Sequence, residues 1–206
     1  MRLILGLGNL GEPYRDTRHN VGFRVVEELA RRWEIPLDRS ECNSLAGLRP
    51  GEDAVLLVQP QTYMNRSGAA VRCLAERYEL ASENLLILYD EVHLPLGRIR
   101  LRPAGGPGGH RGMESIVDSL GTDRVPRLRM GVGPIPPGMG EEGLAEFVLG
   151  RFLAEESAAV ESVLTRSAEA VRTWIESGIE LAMNRANLPD PAVEPAADLP
   201  KGAAPA

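Results

Sequence analysis

The stretch Gly6-Leu7-Gly8-Asn9-Leu10-Gly11-Glu12-Pro13-Tyr14-Arg15-Asp16-Thr17-Arg18-His19-Asn20 decides the fold and holds the first candidate site. A short apolar run, residues 3–5, precedes it and predicts a β-strand, and an amphipathic pattern that starts at Val21 predicts a helix. Loops that follow buried strands are where α/β proteins build their sites. The polar residues between this strand and this helix are therefore expected to carry function.

The spacing Gly6-x-Gly8-x-x-Gly11 also matches the glycine fingerprint of dinucleotide-binding proteins, so a nicotinamide or flavin oxidoreductase is one alternative. In that fingerprint the glycines open a helix directly, and the pyrophosphate lies at the helix N-terminus. Here Pro13 and further polar residues intervene, and the helical pattern begins only at about Asn20. We therefore favour a tight turn as the reason for these glycines, and we expect no cofactor.

Length and composition limit the class of protein. The chain has 206 residues, enough for one domain with a full hydrophobic core. No apolar run approaches the roughly 20 residues of a membrane span, and no export leader precedes the first strand, so we expect a cytoplasmic protein with no membrane partner. Cys42 and Cys73 are the only cysteines, and we expect free thiols. Histidines and cysteines show no metal-ligand spacing, so no metal site is expected.

Charge is distributed unevenly along this acidic chain. The formal net charge is −6, which argues against a protein that coats nucleic acid indiscriminately. Residues 98–129 nevertheless contain seven arginines and only three acidic residues. A local basic face on an acidic body suits recognition of a polyanion at one place. A solvated edge strand is the structural alternative for the alternating arginines of residues 98–102.

Strand and helix patterns alternate along the chain. Buried strands are predicted at residues 54–58 and 85–89, and further strands at 45–48, 98–102 and 128–133. Helices are predicted at residues 69–78 (capped by Asn65 or Ser67), 113–120 and 154–177, the last resuming after Gly178 to Arg185, whereas 134–143 is predicted as loop. The alternation predicts an α/β fold, a single globular domain over residues 1–186 with a mixed twisted β-sheet and helices on both faces, in three layers. Residues 187–206, rich in proline and alanine, predict a disordered tail.

Polar residues gather at the ends of three predicted strands: Asn9, Tyr14 and His19 after the first, Tyr63 and Asn65 after the second, and Asp90 at the third. Crossover connections would bring these strand ends to one edge of the sheet. A histidine near a buried carboxylate is the usual general base, because the carboxylate fixes the tautomer and stabilises the protonated ring. His19 and Asp90 form the candidate pair, with a helix-capping histidine and a plain strand-end acid as the structural alternatives. Since no G-x-S-x-G motif occurs, a hydrolase here would use an activated water.

Five motifs run through residues 1–186 in a fixed order. They are L-G-N-x-G with Tyr14 and T-R-H-N (17–20), T-Y-M-N-R-S-G (62–68), Y-D-E-x-x-L-P-x-G (89–97), G-G-x-G-G-H-x-G (105–112) and L-R-M-G-V-G (128–133). Together they resemble the bacterial-type peptidyl-tRNA hydrolase family. The resemblance implies a metal-independent enzyme that cleaves the ester between a peptide and the 3′ end of tRNA, with peptidyl-tRNA as its partner. We expect it to act as a monomer.

The resemblance also implies roles for individual residues. His19 would be the base that activates water, Asp90 would orient it, and Asn9 would contact the peptide and help to refuse unblocked aminoacyl-tRNA. The residues implied to bind substrate or tRNA are Tyr14, Tyr63 and Asn65 in the site, and Arg100, Arg102 and Arg129 at the tRNA phosphates.

Three positions depart from the family pattern. Leu10 replaces the usual proline, Pro107 often a histidine, and Arg111 the asparagine that is taken to position water or substrate. An arginine at 111 could instead grip a phosphate of the terminal adenosine. It also motivates the alternative function, an RNA-binding relative with weak or no hydrolysis.

Overall fold

The fold is built on a seven-stranded mixed sheet, which the computed structural model describes together with its helices over residues 1–135 and 138–189. The strands are β1 (Arg2–Gly6), β2 (Arg39–Glu41), β3 (Ser44–Arg49), β4 (Val55–Pro60), β5 (Leu85–Pro95), β6 (Ile99–Arg102) and β7 (Arg127–Gly133). Their order across the sheet is β2-β3-β4-β1-β5-β7-β6. The four strands β4, β1, β5 and β7 are parallel, whereas β2, β3 and β6 pair antiparallel with their neighbours. The prediction of a mixed α/β sheet is confirmed.

Helices cover both faces of this sheet. Within the described residues the α-helices are α1 (Val21–Arg32), α2 (Ser67–Arg77), α3 (Arg111–Leu120), α4 (Glu141–Leu149) and α5 (Ser157–Ala186). One apolar core lies between the sheet and α1 and α5, and a second lies between the sheet and α2 and α3. The predicted three-layer arrangement is therefore confirmed, as is the interruption of α5 at Gly178, where φ is +82°.

The apolar runs of the sequence become the central strands because both faces of those strands are covered. Residues 3–5 of β1, 55–58 of β4 and 85–88 of β5 have no exposed surface. At the edge, β6 alternates buried Ile99 and Leu101 with arginines. The side chain of Asn187, just after α5, accepts from the backbone N of Leu101 at 2.7 Å and donates to its O at 3.2 Å, which covers part of the free edge.

The glycines after β1 serve packing and turning. A Cβ on Gly6 would lie 2.2 Å from the carbonyl oxygen of Gly22 in α1, so the helix can approach the strand only because both residues lack side chains. Gly11 has φ +102°, which favours glycine in the turn that follows. The glycine spacing thus belongs to a turn and a close contact, with α1 starting only at Val21.

Three local predictions are wrong. No side chain caps α2; instead the Ser67 hydroxyl donates to the Met64 carbonyl at 2.9 Å. The last three residues of the predicted loop 134–143 belong to α4, whose internal Gly143 lowers the helical propensity of its first turn; residues 136 and 137 lie outside the described residues. Cys42 and Cys73 are not free thiols but form a disulfide between the β2–β3 turn and α2, elements that are remote in sequence and adjacent in space.

Among the described residues, no helix combines the length and the apolar character that crossing a membrane would require. The predicted tail lies outside the described residues from 190 onwards. Its disorder stays a prediction.

Candidate active site

A cavity of about 770 Å³ opens at the edge of the sheet where the parallel strands end. Its walls come from the segments after β1 and β4, from β5, from the glycine-rich segment before α3, and from α4. Seven of the predicted site residues line it: Asn9, Tyr14, His19, Tyr63, Asn65, Asp90 and Arg111. The structure thus brings together residues that lie up to about a hundred positions apart in the chain.

The floor of the cavity holds the predicted pair. His19 lies in a short 3-10 turn, residues 18–20, directly before α1, and Asp90 lies within β5. The Nδ1 atom of His19 is 2.8 Å from Oδ1 of Asp90. The Asp90 side chain is almost fully buried, whereas that of His19 keeps 14% of its surface exposed. A histidine held by Nδ1 in this way turns Nε2 towards a ligand as the available base.

The charges of the pair reinforce each other. Burial alone lowers the pKa of His19, but the charge of Asp90 and its hydrogen bond outweigh burial, so the pKa lies above its ordinary value; the charge of Arg111 acts in the opposite sense. For Asp90, burial raises the pKa, yet its contacts with His19 and His110 outweigh burial and hold that pKa well below its usual range. Asp90 is therefore ionised at neutral pH, and its carboxylate accepts a hydrogen bond from the Nδ1–H of His19.

His110 is a third member of this cluster and was not among the predicted site residues. Its Nε2 lies 3.1 Å from the same Oδ1 of Asp90, and its ring centroid is 5.0 Å from that of His19. The feature of the sequence that could have identified it is its position directly before a predicted helix, where a side chain can act as the N-cap of that helix. The three residues offer ligand atoms within 4.8 Å of one another, a proximity in space that the spacing of histidines and cysteines along the chain does not reveal.

Asn9 is fixed by two neighbours. Its backbone N–H donates to Oδ1 of Asn20, and Nδ2 of Asn20 donates to the Asn9 carbonyl, both at 2.9 Å. Its own Oδ1 accepts from the backbone N–H of Met64 at 3.2 Å. Because that amide can only donate, the Asn9 Nδ2 group is the one left for a ligand. Asn20, which the sequence analysis did not single out, is what orients Asn9.

The remaining cavity residues present accessible side chains. Tyr63 is 73% exposed and Tyr14 is 36% exposed. Asn65 and Arg111 are also exposed. These four groups can contact a ligand without displacing any residue of the core.

The predicted phosphate-binding arginines lie on the β6–β7 edge and not in the cavity wall. Arg100 is paired in register with Arg129, and Arg102 is exposed. Arg129 donates to Oε2 of Glu91 through Nε at 2.8 Å and through a second guanidinium nitrogen. The basic face is therefore less charged than the sequence count indicates.

Arg127 reduces that face further, because it is not on the surface. It is 1% exposed and donates to the carbonyls of Val125, Asp123, Gly105 and Gly106. Its role is to hold the start of the glycine-rich segment against β7. Including it in a basic surface was wrong.

Helix α4 forms the apolar wall of the cavity. Its contributing residues are Leu144, Ala145, Val148 and Leu149. The cavity therefore combines one apolar side with a floor that holds a buried acid–histidine pair, an arrangement suited to activating a water beside a polar bond.

Comparisons with known proteins agree with this picture. Residues 3–195 match the family model described as peptidyl-tRNA hydrolase. A protein named peptidyl-tRNA hydrolase from Syntrophomonas wolfei is 44% identical over 188 residues, covering 91% of this chain and 100% of the relative. One from Chloroflexus aggregans is 46% identical over 190 residues, covering 91% and 99%. The crystal structure of peptidyl-tRNA hydrolase from Acinetobacter baumannii is similar with a TM-score of 0.84 and 36% identity, over 91% of this chain and 94% of that one.

Proposed function

The chain belongs to the peptidyl-tRNA hydrolase family, and we propose that its cavity hydrolyses the ester between an N-blocked peptide and the 3′ end of tRNA. The observation that carries the proposal is the 2.8 Å contact between His19 Nδ1 and Asp90 Oδ1 on the floor of the cavity. The result of the reaction is a free peptide and a reusable tRNA.

The chemistry needs one water and one base. His19 Nε2 takes a proton from a water, whose oxygen attacks the ester carbonyl carbon. Asp90 stabilises the imidazolium that forms and keeps the ring in the required orientation. When the carbon–oxygen bond to the ribose breaks, the proton on His19 passes to the leaving ribose oxygen. The peptide leaves as a carboxylic acid, so all atoms and protons balance.

Binding the two ends of the substrate falls to the exposed groups of the cavity. The Nδ2 group of Asn9 can donate to a peptide carbonyl, and so can the exposed side chain of Asn65. Tyr14 and Tyr63 offer ring faces for stacking against the terminal base or the peptide. Arg111 can pair with a phosphate of the acceptor end.

The tRNA beyond its 3′ end would extend over the β6–β7 edge. Arg100 and Arg102 lie there with Arg129, although Glu91 already pairs with Arg129. Phosphates are recognised by arginines at such positions through charge-assisted hydrogen bonds. Few contacts are available, so binding is expected to be moderate in its salt dependence.

We further propose a cytoplasmic, metal-independent monomer. A single chain supplies every group that the mechanism uses, and a water aimed at an activated ester needs no Lewis acid. Size-exclusion chromatography with light scattering tests the monomer, and turnover in the presence of a chelator tests the independence of metal.

The decisive experiment is turnover of an N-acetyl-aminoacyl-tRNA by the wild-type protein and by His19→Ala. The variant should lose activity by about 10²–10⁴-fold, the usual contribution of a general base, while binding of uncharged tRNA is retained. A wild-type protein that binds tRNA without turnover would instead support the RNA-binding alternative, for which the named relatives provide no support. Retained activity in purified His19→Ala would discard the proposed mechanism.

A further inference from the structure

His110 occupies a position in which its two ring nitrogens have opposite roles. The residue is the N-cap of α3, and its Nδ1 lies 3.2 Å from the backbone N of Gly112 and 3.3 Å from that of Met113. Both amides can only donate, so Nδ1 must carry a lone pair. The proton of the neutral ring is therefore on Nε2, which lies 3.1 Å from Oδ1 of Asp90.

This arrangement decides which nitrogen of the neutral His110 ring carries the proton. A proton on Nδ1 would point at two backbone N–H groups, which are themselves donors. This tautomer also disfavours a metal ion on Nε2. A neutral imidazole that binds a metal through Nε2 carries its proton on Nδ1, and here Nδ1 accepts from two amides. His110 is thus suited neither to act as a base nor to bind a metal; it is suited to donate.

We propose that His110 is a positioning residue whose Nε2–H holds the Asp90 carboxylate so that Oδ1 faces His19. The Oδ1 atom then accepts from both rings, at 2.8 Å from His19 and 3.1 Å from His110. The shared acceptor fixes the carboxylate plane and moderates the attraction that Asp90 exerts on a protonated His19. This inference rests on the proposed function, in which His19 is the base.

The surroundings of the cluster support a fixed geometry. The Tyr89 ring meets His110 edge-on with centroids 4.8 Å apart, and the His110 side chain is 8% exposed. The charged or titratable groups that surround the two histidines are Asp90 and Tyr89 on β5, Arg111 and Glu114 on α3, and Glu91, His93, Arg66, Tyr14 and Tyr63 along the cavity wall. Helix α4 contributes apolar side chains to the same wall.

Two substitutions separate the roles of the ring nitrogens. His110→Asn keeps an acceptor close to the position of Nδ1, since asparagine is a favoured N-cap, but its side chain is too short to reach Asp90. His110→Gln keeps a donor near the position of Nε2 and weakens the cap. Positioning through Asp90 predicts that Asn loses about tenfold in kcat, as expected for one hydrogen bond to a charged group, whereas Gln stays within about threefold of wild type. Melting temperatures should fall more for Gln than for Asn.

The dependence of kcat/KM on pH provides a readout that a structural cap would not move. Losing the Nε2–H donor leaves Asp90 a better partner for protonated His19, so the acidic limb of His110→Asn should shift to higher pH. A cap alone predicts the reverse order of the two variants, with Asn fully active and Gln impaired and no shift of the limb. That result would overturn the proposal.

The tautomer of His110 can be measured without substrate. In ¹⁵N-histidine-labelled protein, with His93→Asn and His110→Asn used for assignment, long-range ¹H–¹⁵N spectra of the neutral ring should show His110 as the Nε2–H tautomer. A neutral His110 that carries its proton on Nδ1 would refute the inference. A wild-type protein that shows the Nε2–H tautomer of His110 but does not hydrolyse the substrate would count against the proposed function and not against the tautomer.

Discussion

The guanidinium of Arg18 lies 4.7 Å from the centroid of the Phe147 ring, so the residue before His19 is packed directly against α4. The ring of Phe152 lies 5.0 Å away from the same guanidinium, and Glu156 accepts a hydrogen bond from it at 2.7 Å. Backbone contacts add to this junction, because Arg18 N donates to the carbonyl of Gly150 at 3.0 Å. The turn that carries His19 and the helix that forms the apolar wall of the cavity are therefore joined through the buried side chain of Arg18.

Replacing Arg18 by lysine should loosen that junction. Lysine retains the charge but cannot stack between two aromatic rings while donating in a plane. We expect the free energy of unfolding to fall by about 2 kcal/mol, because an ion pair with little exposure is disturbed. We also expect kcat/KM to fall about tenfold, because His19 is then held less firmly in position relative to α4. Urea denaturation and steady-state kinetics measure both. Arg15→Lys, an exposed arginine of the same segment, is the control, and equal behaviour of the two variants would contradict the role of Arg18.

Asp90→Asn should change both the rate and its pH dependence. The charge of Asp90 keeps the pKa of His19 above its ordinary value, and the base acts only when neutral. Removing the charge lowers that pKa, so the acidic limb of kcat/KM should shift to lower pH. The plateau should fall by about 10²–10⁴-fold because the ring loses its fixed tautomer and the support for its protonated form. A limb that moves to higher pH would show that another group is the base.

Arg111→Asn should shift the same limb in the opposite direction. The positive charge of Arg111 lowers the pKa of His19, so its removal raises that pKa and protonates more of the base at pH 6. The displacement should shrink as ionic strength rises, because the charge of the exposed Arg111 side chain is screened by salt. Arg66→Asn, which removes another arginine of the cavity wall, is the matched control. A rise in turnover of about tenfold or more at the plateau would indicate that Arg111 restrains hydrolysis.

The parts of the fold that the sequence predicted are those with a local or periodic signal. Residues 55–58 are apolar on both faces, a pattern that is typical of a central strand. Apolar and charged residues alternate along β6, because only one face of this edge strand is buried. The convergence of His19 and Asp90 followed from the rule that parallel strands end at one edge of the sheet.

What the sequence could not predict depends on contacts between remote segments. The role of His110 arises from a helix N-cap and a carboxylate twenty positions away, neither of which leaves a periodic pattern. Arg127 looked like its surface neighbours until the glycine-rich segment folded over it. The Cys42–Cys73 disulfide likewise depends on how α2 packs beside the β2–β3 turn.

The Cys42–Cys73 disulfide should matter for stability and not for catalysis. It closes a loop with a sequence separation of 31, and neither cysteine lines the cavity. In the loop-entropy model its loss lowers the free energy of unfolding by about 2–4 kcal/mol. We expect Cys42→Ser/Cys73→Ser to lose that much in urea denaturation while kcat stays within about twofold of wild type. Wild-type protein with a reductant should match the variant; a stability that reductant leaves unchanged would show that the thiols are not bonded in solution.

Substituting Arg102 should weaken tRNA binding in a salt-dependent manner. Arg102 is exposed on β6 beside the glycine-rich segment, so it is free to reach a phosphate, unlike buried Arg127. A plot of log affinity against log salt concentration has a negative slope, and Arg102→Gln should make that slope shallower by about one, as expected when one phosphate contact is lost. Fluorescence titrations of labelled tRNA between low and physiological salt measure the slope, and turnover at saturating substrate should be unchanged. Arg172→Gln, an exposed arginine on α5 at the opposite face of the sheet, is the control; equal slopes for the two variants would remove β6 from the tRNA-binding surface.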